Sequence, residues 1–421
     1  MTVKTDGKGF DATGKGFYPE FHALWHLEAL GVIDDLTTFE SCWWKAASKK
    51  IADGEKRVRV VVMDTTVDWA HPNLQGVIDE KAMRDFSGSN QGVKLVRPTD
   101  ACAAQDETIM TGPTIYGAHG TAVAGLIGAR PATVNLQIPE RIGLDALPTA
   151  PNKDGTRCIT LPYAGINPFC TIIPVSLTAA PDPDMVYAAL EYVAGLDAQI
   201  IVVAAAWDDT DRADKNKQSF DPKEGKWSDV NCLLAAICRD SIVICAAGNA
   251  GSDARAYPAS LADKIDNLIA VTACDKDGTL LSYAYHPTKG AEGVIATLST
   301  QSERYDNETV LLDPFAAVDP YLKRPEGDKN FPKQRIITLD PRGPRGYNPS
   351  VYSYTPPSNG PHLEIGSLYA EFSGTSAATA IAAGLISLAM QSKGKNKGTF
   401  QPDNLPKAGE LFNLQAALNL F

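Results

Sequence analysis

No two cysteines stand at Cys-x-x-Cys spacing, although the chain holds eight, at positions 42, 102, 158, 170, 232, 238, 245 and 274. Zinc ribbons and thiol redox motifs need that spacing, so neither is expected. Several of the eight lie in apolar runs, as Cys245 does in Ile242-Val-Ile-Cys-Ala-Ala247. They read as buried free thiols of a reducing cytoplasm, not as disulfides. Positive charge is also short: 39 basic against 50 acidic residues leave a net charge of −11. That disfavours nucleic acid or an anionic membrane as the main partner. The first ten residues lack the apolar core of a secretory signal. No apolar run approaches the roughly 20 residues needed to cross a bilayer. No internal repeat and no Asp-x-Asp-x-Asp-Gly calcium loop is present.

What remains is a globular composition, 44% apolar and 21% charged, over 421 residues. That is enough for one large α/β domain. The stretch on which the rest turns is Glu371 to Met390. It opens on the turn-forming Ser373 and Gly374 and continues apolar on every side, as a helix inside a large domain must. Ser376 then falls in the first turn of a buried helix. The free N–H groups there favour a developing anion, which is what acyl transfer needs beside a nucleophile. The competing reading is a small-residue core helix that Ser376 merely caps.

Residues 1–20 read as a poorly ordered tail, and helical spacing begins at Phe21, Leu24, Trp25, Leu27, Leu30 and Ile33. His22 and His26 lie one turn apart with no third ligand near, which favours a structural role over a metal site. Val58-Arg-Val-Val-Val-Met63 reads as a central parallel strand ending at Asp64. Helices are expected from His119, over 183–194 and over 228–239, with strands over 171–177, 199–206, 241–247, 268–272 and 336–339. Strands alternating with helices imply a doubly wound, mostly parallel sheet flanked by helices. The expectation is a single domain over 21–421 with loop insertions near 130–162, 208–227 and 284–335.

Four polar residues end strands or open helices: Asp64, His119, Asn249 and Ser376. They lie more than fifty residues apart, and the carboxyl edge of a parallel sheet is where they could meet. Serine is a weak nucleophile until a base takes its proton. Histidine can take and return that proton near neutrality. A buried aspartate orients the imidazole, and an asparagine amide donates to an oxyanion.

The segments Val62-Met-Asp-Thr-Thr-Val-Asp-Trp-Ala-His-Pro-Asn-Leu74, His119-Gly-Thr-Ala-Val-Ala-Gly125, Ala246-Ala-Gly-Asn-Ala-Gly251 and Gly374-Thr-Ser-Ala-Ala-Thr-Ala380 resemble the motifs of the subtilisin-like serine proteases, in that family's order. The resemblance implies Asp64, His119 and Ser376 as the triad. It also implies Asn249 and the Ser376 N–H as oxyanion donors, and a protein or peptide substrate. It places Ala205, Ala206, Trp207, Gly248 and Ala256 along the substrate cleft. Asp68 and His71 match the first motif too, and read as loop anchors.

The departures from the family pattern are specific. Thr66 stands where a glycine is usual, Ala380 where a proline is usual and Ile381 where a histidine is common. Trp207 is expected to crowd or cover the cleft, and the Ala256 methyl to narrow the specificity pocket toward small or medium side chains. No cofactor is required for this chemistry; many subtilases bind calcium, but nothing here predicts it. The roughly 55 residues before the first strand are too few for an inhibitory chaperone. Restraint of a cytoplasmic protease is therefore expected from the insertions or from a regulatory protein partner. The alternatives are a peptide-maturation protease or transpeptidase, and a catalytically silent binding protein on the same fold. An α/β-hydrolase lipase is disfavoured by the order Asp, His, Ser.

Overall fold

β1 (Arg59–Asp64) sends Val60 and Val62 into one core and Val61 and Met63 into another, so the strand is covered on both faces. In the computed structural model the described residues are 24–34, 40–87, 118–136, 157–161, 163–178, 180–207, 225–287, 292–300, 336–341, 347, 368–394, 397–406 and 409–421. The earlier elements are α1 (Trp25–Ala29) and α2 (Cys42–Ala52). After β1 come β2 (Arg84–Asp85), α3 (His119–Gly128), β3 (Ala132–Leu136), β4 (Arg157–Leu161), β5 (Thr171–Ser176) and α4 (Pro183–Ala194). The chain continues through β6 (Ile200–Val203), α5 (Lys226–Ile237), β7 (Ile242–Ala246), β8 (Leu268–Cys274) and β9 (Val294–Leu298). It closes with β10 (Ile337–Leu339), β11 (Tyr369–Glu371), α6 (Gly374–Lys393) and α7 (Leu414–Leu418).

Seven strands form one sheet in the order β2-β5-β1-β6-β7-β8-β9, and every pairing in it is parallel. Helices cover both faces, as the alternation of strands and helices predicts. α3 and α6 share one core with Val60, Val62 and Ile244; α4 and α5 share the other with Val61, Met63 and Val243. The chain leaves β1 for β5 on one side and returns to β6 on the other. The carboxyl end of β1 is thus a topological switch point, where α/β sheets open a crevice for ligands. Asp64 occupies that end.

α6 is buried along its whole length from Gly374 to Ser392. It is the one described helix long and apolar enough to span a bilayer, contrary to the expectation that no run approaches that length. Its complete burial makes it the core helix of this sheet. Three further expectations need correction. The stretch 130–162 is not loop throughout, because β3 and β4 pair as an antiparallel ribbon. The stretch 284–335 contains β9, the edge strand of the main sheet; its run Val-Ile-Ala-Thr-Leu is short and hidden among charged neighbours. β10 belongs to a separate two-stranded antiparallel sheet with β11.

The helix expected from Phe21 is only five residues long where described, and α2 was not foreseen. Residues 1–20, His22 and the middles of the three insertions lie outside the described residues. Six cysteines are described as free thiols, but Cys42 and Cys232 are exposed rather than buried. Burial pushes the Cys170 and Cys274 thiols up to about 12 and Cys245 well above its ordinary value, which makes these three poor nucleophiles.

Candidate active site

His119 Nδ1 lies 2.7 Å from Asp64 Oδ1. The same Oδ1 accepts the Thr65 N–H at 2.6 Å. A carboxylate can only accept, so the shared proton sits on Nδ1 and the lone pair of His119 is left at Nε2. The two side chains are almost wholly buried, the imidazole 9% exposed and the carboxylate 0%. Phe372 meets the imidazole edge to face, with ring centroids 5.2 Å apart.

Local sequence explains why these two groups meet. The first turn of α3 presents N–H groups without helical partners. Thr65 supplies one acceptor, its hydroxyl taking the Gly120 N–H at 3.0 Å. Reciprocally, the Thr121 hydroxyl takes the Asp68 N–H at 2.9 Å. The loop after β1 is thus stitched to α3 on both sides of His119. Gly120 permits the approach, for a Cβ there would lie 2.4 Å from the Thr65 carbonyl oxygen. Thr66 is buried without positive φ, so the backbone there does not call for glycine. His71 caps the short turn Pro72–Leu74: its Nδ1 accepts the Asn73 N–H at 3.1 Å, and Nε2 faces the Leu368 carbonyl at 3.1 Å. Both ring nitrogens serve the loop, in line with the anchoring reading.

The nucleophile candidate sits where α6 begins. Gly374 has φ +78, and a Cβ on it would lie 2.9 Å from Asn249 Nδ2. Glycine lets the chain turn into the helix there. The Gly374 N–H donates to the Tyr283 hydroxyl at 3.2 Å. The Thr375 N–H donates to Asn249 Oδ1 at 2.8 Å. The Ser376 N–H makes no hydrogen bond to any described residue. The Ser376 hydroxyl is not a cap; it donates to the Ala204 carbonyl at 2.6 Å. No hydrogen bond joins it to His119 among the described residues.

Asn249 shows why the motif needs Thr375. A backbone N–H can only donate, so the oxygen of the Asn249 amide must face Thr375, whose hydroxyl also donates to it at 3.0 Å. The NH2 group is then turned away from Thr375.

Ala205, Ala206, Gly248, Asn249 and Ala256 are all half-buried and form an accessible band beside α6. The Ala256 methyl faces Gly248, with 3.1 Å between it and an ideal Cβ built there. Trp207 differs from expectation. It is 4% exposed and packs edge-on against Tyr257 at 6.1 Å, so it fills the core behind the band and does not lie over the cleft. Tyr257, itself packed against Trp227, supplies an apolar wall that outcompetes exposure. Sequence reasoning missed Tyr283 and Ser299. The Ser299 hydroxyl donates to the Gly374 carbonyl at 2.9 Å, and the Tyr283 hydroxyl bonds the Thr300 carbonyl at 2.8 Å. No short motif marks either residue. Among the described residues there is no cluster of three metal-ligating side chains.

A fold of this class, with an acid, an imidazole, an amide and an alcohol along one sheet edge, is a hydrolase framework. The chain belongs to the subtilase family, whose model matches residues 55–408. Family members are serine peptidases acting on peptide or protein substrates. Solved structures of similar fold include the nisin leader peptidase NisP from Lactococcus lactis, at 15% identity and TM-score 0.52, covering 96% of this chain and 95% of that one. The prenylagaramide maturation protease PagA is also similar, at 16% identity and TM-score 0.45, covering 89% and 97%. So is the self-cleaved protease domain of PatA, at 17% identity and TM-score 0.46, covering 86% and 96%. No curated protein sequence matches the chain.

Proposed function

We propose that this protein is a serine endopeptidase in which Ser376 is the nucleophile, His119 the general base and acid, and Asp64 the group that orients His119. The observation that carries this reading is the 2.7 Å bond from His119 Nδ1 to Asp64, which leaves Nε2 as the proton acceptor. Ser376 Oγ attacks the peptide carbonyl as its proton passes to Nε2. The oxyanion is received by Asn249 Nδ2 and the Ser376 N–H. Collapse expels the amine, protonated by His119, and water then releases the acyl group by the same route. The Ala205 and Ala206 backbones extend β6 beyond its last pairing, where an extended peptide can add as a further strand.

The Ala256 methyl opposite Gly248 supports a preference for small or medium side chains at the cleaved position. Fluorogenic peptides test it: strong preference for Phe or Tyr overturns it. Restraint by the insertions or by a partner is supported by the position of 208–224, which follow directly on Ala205–Trp207. Full, unassisted casein cleavage by the freshly purified protein counts against it. The free cysteines among the described residues suit a reducing cytoplasm. The decisive test of the central reading is a fluorophosphonate probe. It should label the native chain and spare Ser376→Ala, with strong loss in His119→Ala. A native chain that takes no label is a binding protein on a peptidase fold. Leader removal or transpeptidation is a narrower form of the same chemistry, distinguished by product mass.

A further inference from the structure

Two buried polar atoms of the described core have no hydrogen-bond partner although they stand side by side: Asp64 Oδ2 and Ser176 Oγ. Asp64 and Ser176 are register partners at the carboxyl ends of β1 and β5. Paired residues of parallel neighbours project to the same face, on strands about 4.8 Å apart. The cores confirm the face: Val60 and Val62 of β1 and Ile172 of β5 share the α3/α6 core, and Asp64 and Ser176 have the same parity. Both are sealed from water, at 2% and 0% exposure. A carboxylate oxygen and a hydroxyl, each unsatisfied, are costly in such a place. They are also complementary, since one only accepts and the other can donate.

Ser176 has a second register partner, Asp85 on β2, so the hydroxyl lies in a row between two carboxylates. Asp85 is already served: its Oδ1 accepts the Ser87 N–H at 2.9 Å and the Ser87 hydroxyl at 2.6 Å. The open acceptor is on Asp64. Its other oxygen is engaged by His119 and Thr65, and no third donor reaches it from α3.

We propose that Ser176 is a positioning residue of the catalytic machinery, its hydroxyl donating to Asp64 Oδ2 after rotation about χ1. This inference rests on the triad reading given above. With Oδ2 held, the carboxylate cannot swing about its Cβ–Cγ bond, and Oδ1 stays aimed at His119 Nδ1. The hydroxyl touches neither substrate nor the reacting atoms; it acts through Asp64 and His119. Hydrogen bonds to charged groups of this kind change rates by about ten- to a hundredfold when lost.

The test compares the native chain with Ser176→Ala and Ser176→Thr, using fluorophosphonate labelling, peptide kinetics and the downfield proton NMR signal of His119 Nδ1–H. Ser176→Ala removes one buried oxygen and opens no large cavity, and its melting temperature checks that it folds. The expected result is a roughly tenfold or greater fall in kcat with KM nearly unchanged, a displaced or broadened Nδ1–H signal, and recovery of both in Ser176→Thr. A Ser176→Ala chain with native kcat and an unmoved signal overturns the proposal. So does a fall in kcat that Ser176→Thr fails to restore, which marks a packing role. A native chain that takes no label overturns the triad reading itself, a distinct outcome.

Discussion

The two faces of the central sheet are built on opposite plans. α4 and α5 are amphipathic: α4 buries Val186, Ala189, Leu190 and Val193, spaced by three and four residues, and α5 buries Val230, Leu234 and Ile237. Asp182 caps α4, accepting the Met185 N–H at 2.8 Å. On the other face α3 and α6 are buried all round and made largely of Gly, Ala, Ser and Thr. Small side chains let helix starts press against strand ends, as Gly120 does against Thr65. The difference teaches which face carries the candidate site. The amphipathic face supplies stability, whereas the small-residue face brings helix N-termini and their free N–H groups to the edge where Asp64 lies.

That contrast can be broken most severely at Ser376. Ser376→Ala or His119→Ala should cut kcat by roughly a millionfold while leaving the melting temperature close to native. Retention of activity in both would remove the chemistry from this face. Next, Asn249→Ala should lower kcat about 10²- to 10³-fold with KM little changed, because in the proposed mechanism its amide meets the oxyanion only in the transition state. Equal effects on kcat and KM would mean that Asn249 merely holds the α6 turn through Thr375.

A matched pair sharpens the comparison. Leu385 on α6 and Leu190 on α4 are both fully buried. Each change to Ala should cost about 2–5 kcal/mol of stability in chemical denaturation. Only Leu385→Ala should also slow turnover at a temperature where both variants are folded, since only α6 carries Ser376, the proposed nucleophile. The smallest effect is at the surface of the amphipathic face: Asp182→Ala should lose about 1 kcal/mol of stability and leave peptide kinetics untouched. A change in kcat there would mean that the two faces are mechanically coupled.

Most of this architecture was legible wherever a periodic signal persisted. The β-branched run before Asp64, the spacing of Val186 to Val193 and the uninterrupted apolar stretch after Gly374 each announce an element and its burial. Signals failed where they were short. Val294–Leu298 is five residues among charged neighbours, and the ribbon of β3 and β4 pairs segments separated by more than twenty residues with five prolines in their vicinity. Trp207 was misjudged because a bulky ring beside small residues looks exposed until Tyr257 is folded over it. Within the candidate site the four motif residues were readable; Tyr283, Ser299 and Ser176 were not.

The amino-acid order alone determined the strongly patterned elements, which helix is wholly interior, and that an acid, an imidazole, an amide and an alcohol each close or open one. These follow from patterns within a dozen residues, which survive without knowledge of neighbours. Tertiary structure decided what each group faces: Asn249 turned by Thr375, the Ser376 hydroxyl on the Ala204 carbonyl, the Asp64 loop laced to α3, and Ser176 beside Asp64. Hydrogen bonds depend on ångströms and angles between segments remote along the chain, and only strand register and helix packing set those.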